Sequence, residues 1–303
     1  MEAPLDYRTV FMTTVGTQAE KTTACLLIDS LRPFGGGMSQ APFWLFETNS
    51  PNVSCRNLES DTVCVIPLDV PQVMQDYYFG GKVFACARAE ELVLKETRSL
   101  VVVDPTCAIV NPPRLYALDE DYDAAVRPVH IQNVGLSSDE PLDDFWKGIC
   151  TQVGIQDIGI TVDSFVDVRH LRAYFNSHAF SINPSKGLMR RWLELFENLV
   201  KDHDFQATAC QDERHRIFLF QAILSALLVS TLNPARIRIL PPAYNYPYNL
   251  QASIPAERRA RALNDLVSFT YEGRSLDPTA MDDIEVREPL RSWLSEHVMS
   301  GPL

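Results

Sequence analysis

Asp104 closes the apolar run Leu100-Val101-Val102-Val103 and is followed by Pro105 and Thr106. A carboxylate at the end of a buried strand can orient a polar ligand or hold a hard cation such as Mg²⁺ or Mn²⁺. It can also simply cap the turn before Pro105. Thr106 adds only a neutral oxygen, which holds such a cation far less well than a second acid. Lys82, in Gly80-Gly81-Lys82-Val83-Phe84-Ala85, is a cation able to meet a phosphate, or else a solvated helix lysine. In Tyr174-Phe175-Asn176-Ser177-His178-Ala179-Phe180, His178 stands beside Asn176. A histidine there can ligate a metal, act as a base, donate to a phosphate, or be a satisfied core residue.

Other polar residues read first as structural. His130 follows Arg127-Pro128-Val129 and is assigned to the core. Asp143 with Asp144 resembles a paired-carboxylate site, and Asp212 with Glu213 could supply a base. Both pairs open helical patterns, where capping is the ordinary role. Asn245 and Tyr246 lie in the proline-braced loop Pro241-Pro242-Ala243-Tyr244-Asn245-Tyr246-Pro247. That loop could stack on a sugar or a base, or form a rigid turn.

The elements that must position these groups alternate. Val10 to Val15 reads as a strand ending at Gly16, followed by a helix through Ala24, Leu27, Ile28 and Leu31 that stops at Pro33. Phe43–Phe46 and Val63–Ile66 are short strands without polar alternation, as expected where both faces are covered. A helix over Tyr77–Thr97 leads into the strand ending at Asp104. Further strands are expected over Ala124–Ile131 and Ala179–Ile182. Asn183 and Pro184 are placed as N-cap and first residue of a helix carrying Leu188, Trp192, Leu195, Phe196 and Leu199. A core helix runs over about Arg214–Thr231, Ile237-Arg238-Ile239-Leu240 leads into the proline-braced loop, and Leu263, Leu266, Trp293 and Leu294 are expected in C-terminal helices. Strand–helix alternation predicts a mainly parallel sheet, whose ligands sit beyond the carboxyl ends of its strands. Topology alone therefore puts Thr14, Gly16 and Asp104 on the functional rim.

The 303 residues carry a formal charge of −12 and show no basic stripe, which argues against a nucleic-acid partner. Met1–Asp6 lacks the pattern of a secretory signal. The most apolar stretch, Ile217–Leu232, contains Gln221 and Ser225 and is too short for a transmembrane segment. Seven cysteines, with no C-x-x-C pair, read as reduced core residues of a cytoplasmic protein.

Taken in order, Thr13-Thr14-Val15-Gly16, Lys82, Val102-Val103-Asp104-Pro105-Thr106, the Asn176–His178 segment, Gln221-Ala222-Ile223-Leu224 and Leu240-Pro241-Pro242-Ala243-Tyr244-Asn245 resemble bacterial nucleotide-diphospho-sugar transferases of the GT-A glycosyltransferase class. The resemblance implies an α/β fold, a single GT-A-like domain with a mainly parallel central sheet flanked by helices and a helical C-terminal extension. The nucleotide-sugar-binding domain is placed at 1–255 and the extension at 256–303. It further implies that Thr14 and Gly16 hold the nucleoside, that Lys82 and Asp104 address the diphosphate directly or through Mn²⁺ or Mg²⁺ on Asp104, that Asn176, Gln221 and Asn245 line the sugar side, and that Thr106, His178 and Tyr246 belong to the same nucleotide-sugar-binding set. The catalytic base is unassigned. Thr106 in place of the second acid of D-x-D, Phe220 in place of an Asp, and His178 in place of a small residue depart from the pattern. The implied activity is sugar transfer from a nucleoside diphosphate donor; the alternative is a catalytically degenerate nucleotide-sugar sensor or interaction module.

Overall fold

A computed structural model describes residues 8–49 and 52–298. Met1–Asp6 lies outside these residues. In chain order the elements are β1 (Thr9–Val15), α1 (Gln18–Phe34), β2 (Phe43–Glu47), β3 (Val63–Pro67), α2 (Gln72–Gln75), α3 (Gly80–Leu92), β4 (Ser99–Val103), β5 (Cys107–Ile109) and β6 (Ala124–Pro128). There follow α4 (Asp144–Val153), β7 (Thr161–Asp163), β8 (His170–Arg172), β9 (Phe175–Ile182), α5 (Leu188–Lys201), α6 (His203–Thr208) and α7 (Glu213–Thr231). The chain then forms β10 (Ile237–Ile239), β11 (Tyr246–Pro247), β12 (Ser268–Thr270) and α8 (Leu290–Val298).

The central sheet has seven strands in the order β10-β6-β9-β4-β1-β2-β3. Every pairing in it is parallel except those of β9, which runs against both β4 and β6. Both faces are covered. Leu100 and Val102 of β4 join one core with α3, α4, α5 and α7, while Val101 and Val103 join another with α1. This is why the strands read as unbroken apolar runs rather than alternating ones. A smaller sheet, β11-β12-β5, carries a third core.

Several boundaries move from their expected places. The helix expected from Tyr77 begins at Gly80, because Phe79 adopts a left-handed φ of 58° that no helix interior tolerates. Asn183 caps only a single 3-10 turn, and α5 restarts after Gly187 at φ 68°. Trp293 and Leu294 lie on α8, whereas Leu263 and Leu266 are buried in and just after a 3-10 turn leading to β12.

The capping residues do what their types predict. Asp143 Oδ1 accepts from Trp146 N at 2.8 Å and Asp212 Oδ1 from His215 N at 2.9 Å, so both acidic pairs start helices. Among the described residues, no helix is long and apolar enough to cross a membrane. Gln221 and Ser225, which interrupt the apolar run of α7, are buried against β9. Gln221 Oε1 accepts from Ser177 N at 3.1 Å and from Ser177 Oγ at 2.8 Å, and Ser225 Oγ accepts from Phe175 N at 2.9 Å. Two polar residues of a core helix thus satisfy backbone donors at the start of β9.

Candidate functional site

The reversal of β9 builds the site. Because β9 runs opposite to β4 and β6, its first residues fall at their carboxyl ends: Val103 pairs with Ala179, so His178 lies beyond the end of β4 beside Asp104. The Asp104 N–H donates to the His178 carbonyl at 2.7 Å. Between β6 and β9 the register shifts, with Ala125 opposite Ser181 but Arg127 opposite Asn176. Irregularities of this kind re-aim side chains, and here the shift spans the polar segment Asn176-Ser177-His178.

Lys82 reaches this rim from the first turn of α3. Its ammonium forms an ion pair with Asp104 and donates to the Ser177 carbonyl at 2.7 Å. Both partners are largely buried, the side chains being 5% and 14% exposed, so each charge depends on the other for its solvation. Lys82 is therefore no solvated helix lysine. Its Nζ also lies 5.9 Å from the ring centre of Phe220, which in turn stacks on Phe79 at 4.4 Å. Phe220, one of the departures from the pattern that the resemblance implies, forms an apolar wall beside the ammonium.

Asn176 is the hub of the neighbouring network. Its Oδ1 accepts from His178 N at 2.8 Å and from Asn245 Nδ2 at 2.8 Å, and lies 2.9 Å from His178 Nδ1. Asn245 is fully buried at φ 46°, a left-handed conformation in which Asn is among the better tolerated residues. The far side of the His178 ring, Nε2, lies 2.8 Å from Glu272 Oε1. Glu272 is delivered by the small sheet: β12 pairs with β5, Thr270 opposite Cys107, and the Tyr271 N–H donates to the Thr106 carbonyl at 3.0 Å. Burial alone works against a charged His178. The hydrogen bond to Glu272 and the charges of Asp104 and Glu272 outweigh it and raise the pKa above 6.5. The hydrogen bond to His178 correspondingly lowers that of Glu272.

The residues singled out in the sequence therefore separate into groups. Lys82, Asp104, Asn176, His178 and Asn245 converge, with Thr106 two residues beyond Asp104. Gln221 stands behind β9 and supports Ser177. Tyr246 is buried in the core of the small sheet, its hydroxyl donating to Gln251 Oε1 at 2.5 Å and accepting from Ala260 N at 3.0 Å. Thr14 and Gly16 lie at the carboxyl end of β1. There the Gly16 N–H is taken by the capping-box carboxylate of Glu20 at 2.7 Å, and a Cβ on Gly16 would stand 2.9 Å from Thr48 Oγ1. Glu272 had no signal in the sequence, since 94 residues separate it from His178 and neither lies in a shared motif. His130 is buried as expected, yet neither ring nitrogen has a hydrogen-bond partner among the described residues.

The donor set does not fit a divalent cation. The Asp104 carboxylate is paired with an ammonium, Thr106 contributes a neutral oxygen, and among the described residues no three His, Cys, Asp or Glu side chains gather into a ligand set. The positive charge at this rim comes from Lys82 instead.

Neither a protein-family model nor a curated protein sequence matches the chain. Solved structures do. Over 97% of its length the chain is similar to the galactosyltransferase LgtC in complex with donor and acceptor sugar analogs, covering 98% of that chain at 13% identity with a TM-score of 0.55. It is similar over 99% of its length to the bifunctional glycosyltransferase WbbM, at 12% identity and a TM-score of 0.54, and spans about half of that chain, 53%. It is also similar to the glycosyltransferase GlyE of Streptococcus pneumoniae TIGR4, at 13% identity and a TM-score of 0.51, covering 97% of this chain and 61% of that one. The chain has the GT-A-like glycosyltransferase fold, a mixed α/β architecture, as the ordered motifs implied.

Proposed function

We propose that this protein is a glycosyltransferase that moves a sugar from a nucleoside diphosphate donor to an acceptor, and that it does so around Lys82 rather than around a metal. The observation that carries the reading is the convergence of Lys82, Asp104, Asn176, His178 and Asn245 on one rim of a glycosyltransferase fold. In this reading Thr14 and Gly16 border the nucleoside, and Asn176 and Asn245 orient the sugar. The Lys82 ammonium, which Asp104 holds in place, faces the diphosphate and stabilises the negative charge that grows on it as the glycosidic bond breaks. Gln221 acts through Ser177 by fixing the start of β9. In this reading the nucleotide-sugar domain is 1–255 and the extension 256–303, whose described residues supply Glu272. The seven cysteines are all without a disulfide partner, which supports a cytoplasmic setting.

The test is calorimetric titration with UDP- and GDP-sugars, with and without Mn²⁺, together with an assay for donor hydrolysis. Binding that is unchanged by Mn²⁺ but lost in Lys82→Met, with slow donor hydrolysis, is expected. The neutralisation of Asp104 by Lys82 also favours a second reading, a nucleotide-sugar sensor. Binding without turnover in the presence of any acceptor sugar tried would select it, and failure to bind any nucleotide would refute both.

A further inference from the structure

Arg127, on β6, is 3% exposed, yet its Nε and Nη2 have no hydrogen-bond partner among the described residues. Its guanidinium lies 4.7 Å from the ring centre of Phe165, and among the described residues no carboxylate forms an ion pair with it. Burial, opposed only by the Tyr116 and Tyr246 hydroxyls, lowers its pKa to about 10, so it stays charged at neutral pH. A buried guanidinium with no anion among the described residues is unusual, because the face of Phe165 offsets only part of its desolvation. It is not an isolated oddity. His130, 5% exposed, lacks partners at both ring nitrogens, and its ring stacks 6.4 Å from that of His178. Asn245, 0% exposed, has an unpartnered Oδ1.

These groups lie together. Arg127 is directly opposite Asn176 in the β6–β9 pairing, so the two side chains share a face of the sheet. Asn176 Oδ1 in turn holds Asn245 and His178. The result is a cluster next to the Lys82–Asp104 pair with surplus donors on Arg127 and His130 and one surplus acceptor on Asn245. Buried polar groups without protein partners are met by an ordered water, an ion or a ligand, and here charged and neutral groups of this kind sit side by side.

We propose that Arg127, His130 and Asn245 form a subsite for a sugar bearing an oxyanion. The guanidinium, through Nε and Nη2, and the His130 ring bind the carboxylate or phosphate, and Asn245 Oδ1 accepts from a sugar hydroxyl. This subsite rests on the reading of the rim as a sugar site and narrows it to acidic sugars. Guanidinium recognition of an oxyanion is bidentate, so it selects the anion by geometry as well as charge.

The experiment compares UDP, UDP-glucose and UDP-glucuronate by calorimetry on the full chain, wild type and Arg127→Met, with free glucuronate and glucose 1-phosphate as separate probes. The expected result is that UDP-glucuronate binds about tenfold more tightly than UDP-glucose, and that Arg127→Met erases this preference while UDP binding persists. Of the free probes, glucuronate alone shifting the wild-type melting temperature assigns a carboxylate, and glucose 1-phosphate alone assigns a phosphate. Equal binding of the two UDP-sugars and no Arg127-dependent effect of either free probe would overturn the subsite and leave the transferase reading standing. If no nucleotide binds, the transferase reading fails, and the subsite then survives only if a free probe stabilises wild type but not Arg127→Met. If Arg127→Met does not fold, His130→Phe, which keeps a buried ring, reads out the same comparison.

Discussion

Glu272 places Oε1 2.8 Å from Nε2 of His178, across 94 residues of chain, and so ties the small C-terminal sheet to the start of β9. With Asn176 on the other ring nitrogen, the imidazole is held from both sides. This contact is what gives His178 a fixed orientation beside the Lys82–Asp104 pair, and its strength depends on pH.

The pH dependence has a definite sign. His178, raised above 6.5, contributes stability that is complete below that value and is lost as pH rises through its higher folded pKa. Glu272, lowered from 4.5, contributes stability that is present above that value and is lost as pH falls through its lower folded pKa. The contact is therefore strongest between pH 4.5 and 6.5. Glu272→Gln should lower stability most in that window, by about 1 kcal/mol or less because Glu272 is half exposed. NMR titration of the His178 ring should show its midpoint falling in the variant; an unmoved midpoint would show that the contact is absent in solution.

Lys82→Met should be among the most destabilising single changes at the site. It leaves the Asp104 carboxylate buried without its partner, at a loss of roughly 3–5 kcal/mol. Adding Asp104→Asn should recover much of that loss, because the second change removes the stranded charge. Urea denaturation midpoints of the two single variants and the double variant measure the coupling directly.

Gln221→Leu separates a supporting role from a ligand-binding one. The change strands the Ser177 N–H and hydroxyl, for which a loss of about 1–3 kcal/mol is expected. Donor affinity should fall only as far as β9 loosens, and Gln221→Glu, which keeps an acceptor oxygen, should retain more stability than Leu. A variant of full stability but no donor binding would instead put Gln221 in contact with the sugar.

Asn245 can be tested through its backbone. Asn245→Gly and Asn245→Ala both lose the 2.8 Å bond to Asn176, but only Ala must pay for a Cβ at φ 46°. The Ala variant should therefore be less stable than the Gly variant by roughly 1 kcal/mol. Thermal melting of the pair checks this; equal melting temperatures would mean that the loop relaxes out of the left-handed conformation.

What was legible in the sequence follows from local physics. The unbroken apolar strands announced a sheet covered on both faces, and Asp143 and Asp212 announced helix starts, because period and capping act over a few residues. Asp104 at the end of β4 was legible for the same reason, and the ordered motifs around it were enough to name the fold. The partners at the rim were not. That Lys82 pairs with Asp104 depends on how α3 packs back over β4, and that Gln221 turns its oxygen to Ser177, that Glu272 meets His178, and that Arg127 is buried without an anion among the described residues depend on β9 running against its neighbours and on β12 pairing with β5. Strand direction and long-range pairing bring residues far apart in the chain within hydrogen-bond distance, and charge and burial act only at that distance; only the tertiary structure could decide which charges met.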